Sequence, residues 1–439
     1  MSDLQIGLVG FAALLALLAI RIPIGVAMLA VGMVGYASIA GWSALLSHLK
    51  TEPYWRFSTF DLSVVPLFIL MGQFAAEAGV SRALFRAANA WFGHFRGGIA
   101  MAALGGCAGF GTICGSSLAT AATMGPVALP ELRRYHYSGS LATGALAAGG
   151  TLGILIPPSI VLIIYAIMVE ASVVALFQAA LLPGILAAVG YMLAVAVVVR
   201  VVPGAGPAGP RAGRQERIRS LIDVWPVLVI FVLVMGGIYA GFFTPTEGAG
   251  VGTVGTFLIA VTQGGMRWRG FVDAILATGQ TTGFIFLILL GAALFNAFLG
   301  FTQLPILAAE TFQRSALPPM AILLAMIALY VLLGCVMDSL SMILLTVPIF
   351  WPIVAGLDFG MAPDDQKLWF GIISLIVVEV GLITPPVGLN VFVINAIAGD
   401  VPMIETFKGV LPFLASDAIR VLLIIAFPVI TLVLPRLLG

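Results

Sequence analysis

The sequence predicts an all-α polytopic membrane protein in two related halves, each holding a re-entrant helical hairpin and a broken helix. Three observations carry this reading: a composition too apolar for a soluble domain, uncharged runs of spanning length, and motifs that return in the same order later in the chain. Of the 439 residues, 61% are hydrophobic and 9% charged, whereas soluble domains are about half apolar and about a quarter charged. Leu4–Ile20, Ile24–Ser47, Ser138–Val169 and Ala321–Met337 carry no charge. About 20 mostly apolar residues suffice to span a bilayer as a helix. No charged n-region and small-residue cleavage site frame the first run, so it reads as a retained helix.

Several function classes drop out on composition. Twenty basic residues stand against nineteen acidic ones, so no nucleic-acid partner is suggested. Lys50, Lys367 and Lys408 are the only lysines, and none sits in a GxxxxGK(S/T) phosphate loop. The chain therefore carries no Walker-type ATP engine. Cys107, Cys114 and Cys335 make no disulfide framework. His48, His94 and His136 are too scattered for a zinc motif. With no metal spacing and no credible Ser–His or Ser–Lys pair, an enzyme is not expected.

A Pro/Gly/Arg linker, residues 202–222, divides the chain into a first half (1–201) and a second half (223–439). It opens with Val202-Pro-Gly-Ala-Gly-Pro-Ala-Gly-Pro210 and continues with Arg211, Arg214, Arg217 and Arg219. An arginine cluster beside a span stays on the cytoplasmic side. The halves read as copies. Pro23 answers Pro245, and Leu67-Phe-Ile-Leu-Met-Gly72 answers Phe286-Leu-Ile-Leu-Leu-Gly291. Pro126-x-x-x-Pro130 answers Pro348-x-x-x-Pro352, Gly153-Ile-Leu-Ile-Pro-Pro158 answers Gly381-Leu-Ile-Thr-Pro-Pro386, and Leu182-Pro183 answers Leu411-Pro412. All offsets lie between 219 and 229. Duplicated halves suit a carrier, because they build a central site and rock between two states. Ser81–Phe95, with Arg82 and Arg86 one turn apart among aromatic and aliphatic residues, reads as an interfacial helix or an ordinary connecting helix.

Polar residues concentrate in two segments. Gly105–Pro130 holds seven Ser, Thr or Cys side chains beside Gly109, Gly111 and Gly115. A lipid-facing helix has little use for that composition, but a hairpin turning inside the membrane does. Its hairpin is expected over about 97–133. The counterpart, over about 321–356, places Asp338, Ser339 and Ser341 at its tip. Each is followed by a helix broken at a Pro-Pro pair, over about 140–169 and about 367–398. Proline donates no backbone hydrogen bond and disturbs the carbonyl one turn earlier. Carbonyls around Gly149–Ile156 and Gly381–Thr384 thus become candidate ligands for a hard cation such as sodium, and the half-helix N-termini beyond them favour an anion. Asp338 is the carboxylate most exposed to a functional reading. Glu379 and Glu247 are weaker cases, Glu247 lying near a helix start that favours its charge. Asp417 and Arg420 have the spacing of a simple helical pair.

At these hairpins and Pro-Pro breaks the chain resembles the large membrane subunit of the tripartite ATP-independent periplasmic (TRAP) transporters. The likeness runs from Arg21-Ile-Pro-Ile-Gly25 to Gly381-Leu-Ile-Thr-Pro-Pro386 and beyond, with Gly115-Ser-Ser117 and Ala121-Ala-Thr123 particularly typical. The resemblance implies an elevator-type carrier with inverted repeats in the bacterial inner membrane, driven by a sodium gradient. It implies two partners: a small four-helix membrane subunit and a periplasmic substrate-binding protein. Carried over by position, a first sodium site would use Thr112, Ser116 and Ser117 with carbonyls of Gly149, Gly153 and Ile156. A second would use Ser339 and Ser341 with carbonyls of Gly381, Ile383 and Thr384. Substrate would lie near Cys114, Ser116, Ser159, Asp338 and Ser339. Cys114 stands where many members have serine, and a thiol is the weaker donor.

The expected activity is sodium-coupled import of a small organic anion. A stand-alone organic-anion symporter of the same architecture is the second reading, and a channel would not explain two matched sets of broken helices. Asp338→Ala is expected to cripple uptake in proteoliposomes while leaving the protein folded by size-exclusion chromatography. Normal uptake in that variant removes Asp338 from the site.

Overall fold

A computed structural model describes residues 3–314 and 317–438, and among these every regular element is helical. The first half runs α1 (Asp3–Ala19), α2 (Ile24–Ala40), α3 (Trp42–Phe57), α4 (Val64–Glu77), α5 (Val80–Phe92), α6 (Gly98–Cys114), α7 (Ser117–Arg134), α8 (Gly139–Leu155), α9 (Ile160–Val169) and α10 (Val173–Val201). The rest runs α11 (Arg214–Tyr239), α12 (Pro245–Thr262), α13 (Trp268–Thr302), α14 (Leu304–Arg314), α15 (Pro319–Gly334), α16 (Ser339–Ala355), α17 (Pro363–Gly381), α18 (Leu389–Ala398), α19 (Met403–Ala426) and α20 (Val429–Leu438). Five stretches, among them α10, α11, α13 and α19, are single helices long and apolar enough to cross a bilayer. The α8–α9 pair passes the same test together but bends by 44° at its break.

Local sequence explains where these helices start. Ser138 caps α8 by accepting from Leu141 N at 3.3 Å, and Ser172 caps α10 by accepting from Ala175 N at 3.2 Å. Thr244 and Glu247 form a reciprocal capping box at α12, satisfying two helix-end donors at once. Pro183 and Pro412 sit inside α10 and α19 without ending either helix. The linker is shorter than expected. Helix α11 already begins at Arg214, so Arg214, Arg217 and Arg219 belong to a helix that continues straight into an apolar span. The predicted interfacial segment is α5, which keeps Arg82 and Arg86 exposed and buries Phe85.

The helices sort into two packed groups. In one, α2 lies along α13, α4 along α12, α1 on α2, and α11 on α12. Small residues bring these backbones close: a Cβ on Gly32 would stand 2.7 Å from Phe295 N, and one on Gly25 would stand 3.1 Å from Ile288 Cα. Close approach through small residues is how helices associate when lipid supplies no hydrophobic drive between them. In the other group the α6–α7 hairpin packs on α8, the α15–α16 hairpin packs on α17, and α10 and α19 pack beside the broken helices. Helices α5 and α14 each touch both groups, α5 on α6 and α11, α14 on α16 and α13.

The two hairpins enter from different ends of the bundle. At the base of the first, Gly97 N donates to Gly206 O at 2.9 Å, and Ser138 N donates to Ala205 O at 2.9 Å. Arg133, at the foot of α7, reaches Ala398 O, at the end of α18, at 2.5 Å and the Asp400 carboxylate just past it. The base of the second hairpin lies beside the start of α17, where Gln366 Nε2 donates to Val354 O at 2.5 Å. Nearby, Tyr165 OH at the far end of α9 donates to Lys367 O at 2.8 Å. Since α8 and α9 run from Ser138 to that far end, the hairpin tips point toward each other across the middle.

Each hairpin meets its broken helix at a glycine pair. A Cβ on Gly111 would stand 2.4 Å from Gly153 Cα, and one on Gly381 would stand 2.5 Å from Gly334 Cα. Neither gap admits a methyl group without backbone movement. Overpacking of this kind costs about 1–3 kcal/mol. Gly381→Ala and Gly111→Ala are therefore expected to lower the melting temperature of the detergent-purified protein, while Gly283→Ala, at a position with open space around it, leaves it unchanged. Equal stability of all three variants contradicts the close-packed hairpin contact.

Candidate functional site

Four half-helices begin near the centre of the bundle, and the residues at their starts differ in what they offer. In the first hairpin, Gly115 ends α6 with φ +61°, a left-handed conformation that costs glycine little. A Cβ there would also crowd Pro158 O at 3.1 Å. Ser116 follows as the extended N-cap of α7, its Oγ accepting from Ala119 N at 3.4 Å. In the second hairpin, Asp338 is the N-cap of α16. It accepts from Ser341 N at 3.1 Å and from the Ser341 hydroxyl. The first break carries the cis Pro157–Pro158 bond and ends at Ser159, the N-cap of α9, whose Oγ accepts from Leu162 N at 3.4 Å. The second carries the cis Pro385–Pro386 bond and ends at Gly388, the N-cap of α18.

Glu379 ties the two hairpins together. It lies on α17 one turn before the second break and is 1% exposed. Its Oε2 accepts from Ser117 Oγ at 2.5 Å, and its Oε1 accepts from Ser339 Oγ at 2.6 Å. Ser117 and Ser339 are the first residues of α7 and α16. One carboxyl group thus faces the N-terminal ends of both half-helices, where the helix dipole favours an anion. A second polar group lies deeper in the same bundle. Arg420 pairs with Asp417 at 2.7 Å, Tyr191 OH donates to Asp417 Oδ2 at 2.8 Å, and Thr151 Oγ1 stands 3.0 Å from the Tyr191 hydroxyl.

Against the tips lies a cavity of about 390 Å³. Cys114, Ser116, Ser117, Asp338 and Ser339 line one side of it. Ile69 and Gln73 of α4 and Thr281, Phe284 and Ile285 of α13 line the other. Helix α4 comes close because Gly72 faces the tip: a Cβ there would stand 3.1 Å from Cys114 Cα. The wall thus combines hydroxyls and helix starts from one helix group with a mostly apolar surface from the other, the usual composition of a small-molecule site.

The remaining sequence-derived positions fall around the two breaks. Ser159 is fully buried and does not line the cavity. Thr112 Oγ1 donates to Gly109 O at 2.7 Å within α6. Gly149 lies inside α8, where its carbonyl takes the regular helical bond, whereas Gly153 and Ile156 sit where the helix opens. Ile156 N still reaches Leu152 O at 3.3 Å. At the second break, Ile383 N bonds Val380 O at 3.2 Å and Thr384 N bonds Gly381 O at 3.1 Å, so the helix tightens before it ends. Thr384 Oγ1 donates to Val380 O at 2.6 Å. Glu379 is the residue that sequence reasoning undervalued. Its only signal was a lone carboxylate inside an apolar run, since its partners lie 262 and 40 positions away.

Paired hairpins and paired broken helices around a central cavity define a polytopic membrane carrier, and comparison with known proteins gives the family. The family model described as "Tripartite ATP-independent periplasmic transporter, DctM component" matches residues 11–430. A C4-dicarboxylate TRAP transporter large permease protein of Pseudomonas aeruginosa is 37% identical, covering 87% of this chain and 87% of that protein. A sialic acid TRAP transporter large permease protein of Vibrio cholerae is 31% identical, covering 86% of this chain and 87% of that protein. The chain belongs to the DctM family, the large permease subunits of TRAP transporters. Among solved structures, the YdaH transporter of Alcanivorax borkumensis shares the fold at a TM-score of 0.61 and 14% identity, over 88% of this chain and 89% of that one.

Replacing Glu379 tests its bridging contacts. Removing a partner from hydrogen bonds to a charged group costs about 1.5–3 kcal/mol per bond. Glu379→Ala is expected to lower the melting temperature clearly. Glu379→Gln, which retains one acceptor and can reorient a serine hydroxyl, is expected to fall between the alanine variant and the native protein. If Glu379→Ala melts with the native protein, the carboxyl group does not hold the hairpins.

Proposed function

We propose that this permease imports a small organic anion across the bacterial inner membrane, driven by an inward sodium gradient. The observation that carries the reading is the cavity between the hairpin tips, where the starts of α7 and α16 meet hydroxyl side chains. Helix N-termini bind carboxylates through free N–H groups and the dipole. An anion there lies against Ser116 and Ser117 on one side and Ser339 on the other. Sodium takes oxygen ligands, and the open carbonyls of residues 153–156 and 383–384 supply them beside Thr112 and Ser341. Asp338 is held by Ser341 in a capping role and adds negative charge at the cavity wall, suited to a nearby cation or to a substrate hydroxyl.

We read the two halves, divided by residues 202–213, as inverted repeats. The helix group with the hairpins then moves as an elevator against α2, α4, α12 and α13. The mostly apolar wall made by Ile69, Phe284 and Ile285 suits such sliding, because it offers few directional bonds that the motion would break. The named substrates of the relatives, C4-dicarboxylates and sialic acid, share a carboxylate, which makes C4-dicarboxylates the first acids to test. A small membrane subunit and a periplasmic binding protein complete the proposed transporter.

The test is uptake of labelled organic acids into proteoliposomes holding the chain and its small-subunit partner. Uptake is expected only with both an inward sodium gradient and the binding protein. Uptake with sodium alone overturns the tripartite reading in favour of a stand-alone symporter, and uptake indifferent to sodium overturns the coupling. Asp338→Asn, which keeps an N-cap acceptor and removes the charge, is expected to raise the sodium concentration for half-maximal uptake. An unchanged sodium dependence excludes a role for the Asp338 charge in ion binding.

A further inference from the structure

A second cavity lies far from the hairpin tips, at the end of the bundle that carries the linker. It encloses about 420 Å³ between α5, the start of α11, residues 209–212 and the base of the first hairpin. Arg86, Arg211 and Arg219 line it, together with Glu216 and Asp223. Behind them Arg217 is fixed in place. Its Nε donates to Ala90 O at 3.2 Å and its guanidinium lies 5.5 Å from the Trp91 ring centre.

These arginines are not neutralised by the protein. Among the described residues none of the four stands within ion-pair distance of a carboxylate, although two carboxylates share the cavity wall. Arg217 Nη2 is buried with no hydrogen-bond partner, and so is the side-chain oxygen of Asn89, which also lines the cavity. A buried donor without an acceptor is costly. The cavity therefore presents fork-shaped donors from three arginines, with the Asn89 oxygen and the carboxylates of Glu216 and Asp223 as acceptors. Guanidinium groups match the oxygens of phosphate bidentately, and the Asn89 oxygen suits a hydroxyl or ammonium donor on the same ligand. Position narrows the source. The arginine cluster marks the cytoplasmic face, α5 is an amphipathic helix with Trp91 and Phe92 exposed, and anionic headgroups concentrate at that depth.

We propose that this cavity binds the phosphate of an anionic phospholipid headgroup. The phosphate meets Arg86, Arg211 and Arg219, with Arg217 bracing the wall behind them through Ala90 and Trp91. The bound lipid joins α11 to the base of the α6–α7 hairpin, through Ile99 and Tyr135 on the cavity wall.

The test uses the protein purified with its small-subunit partner. It is delipidated and supplemented with phosphatidylcholine, with phosphatidylglycerol, or with phosphatidylcholine plus free glycerol phosphate. Lipid mass spectrometry after gel filtration and the melting temperature are read for each. Phosphatidylglycerol is expected to be retained and to raise the melting temperature, while free glycerol phosphate does neither. The Arg86→Gln/Arg219→Gln double variant is expected to retain about tenfold less phosphatidylglycerol, the equivalent of one lost charge-assisted hydrogen bond. Arg211→Gln, in the linker, gives the same readout should the double variant not fold. Arg214→Gln, in the same cluster but outside the cavity wall, is expected to bind as the native protein does. Equal loss in Arg214→Gln reduces the effect to diffuse charge and overturns the site. Full stabilisation by free glycerol phosphate overturns the lipid source. Absence of phosphatidylglycerol retention by the native protein overturns the proposal outright.

Discussion

The carboxyl group of Glu379 is where the tips of the two hairpins meet. A re-entrant hairpin turns back inside the bundle, so its returning helix begins with N–H groups that no preceding turn satisfies. Two such helices, α7 and α16, begin at the centre with Ser117 and Ser339, and both serines give their hydroxyl hydrogen to Glu379. The arrangement places one acidic group between two positive helix ends. It fixes the distance between the tips and, with it, the wall of the cavity that both tips line. The glycine contacts Gly111–Gly153 and Gly334–Gly381 then press each hairpin onto its own broken helix.

The two halves that the sequence motifs align are not chemically equal at this centre. Counting by the motif offsets, Glu379 in the second half corresponds to Thr151 in the first, and Arg420 corresponds to Tyr191. The first half keeps a neutral pair, with Thr151 Oγ1 3.0 Å from the Tyr191 hydroxyl. The second half carries the charges. Asp417, which the first half lacks at the corresponding Ala188, pairs with Arg420 at 2.7 Å and takes the Tyr191 hydrogen bond. Buried charges are retained where partners offset them, and here Asp417 draws its partners, Tyr191 and Arg420, from both halves.

Much of this was legible in the sequence because it is local. The helix ends at 114–117, 155–160, 334–339 and 381–389 fall among the glycines, serines and prolines of the polar segments, since each such feature depends on backbone freedom at neighbouring positions. The Asp417–Arg420 pair was legible for the same reason, the two residues lying three apart on one helix. The linker was misjudged at its far end. Arginines suggested a solvated connector, yet Arg214–Tyr239 is one continuous helix whose first turns are charged and whose remainder is apolar. The Glu379 bridge was not legible at all. Its partners are distant in the chain, and apolar neighbours say nothing about which hydroxyl a carboxylate will meet. Nor does spacing reveal that Ser159 would be wholly buried while Ser116, also an N-cap, opens onto the cavity.

Under the proposed elevator movement, a bridge at the tips requires the two hairpins to move as one body against the helices of the other group. Pulsed electron resonance measures this directly, with spin labels carried on unnatural residues so that the native cysteines stay in place. One label pair, at Arg134 and Asp358, reports across the two hairpins from their opposite bases. A second, at Arg134 and Gln263, reports between the first hairpin and the end of α12. Distances are compared with and without sodium, substrate and binding protein. The account predicts an unchanged Arg134–Asp358 distance while the Arg134–Gln263 distance shifts between conditions. A change in the Arg134–Asp358 distance as large as that in the other pair contradicts a single moving body joined at Glu379.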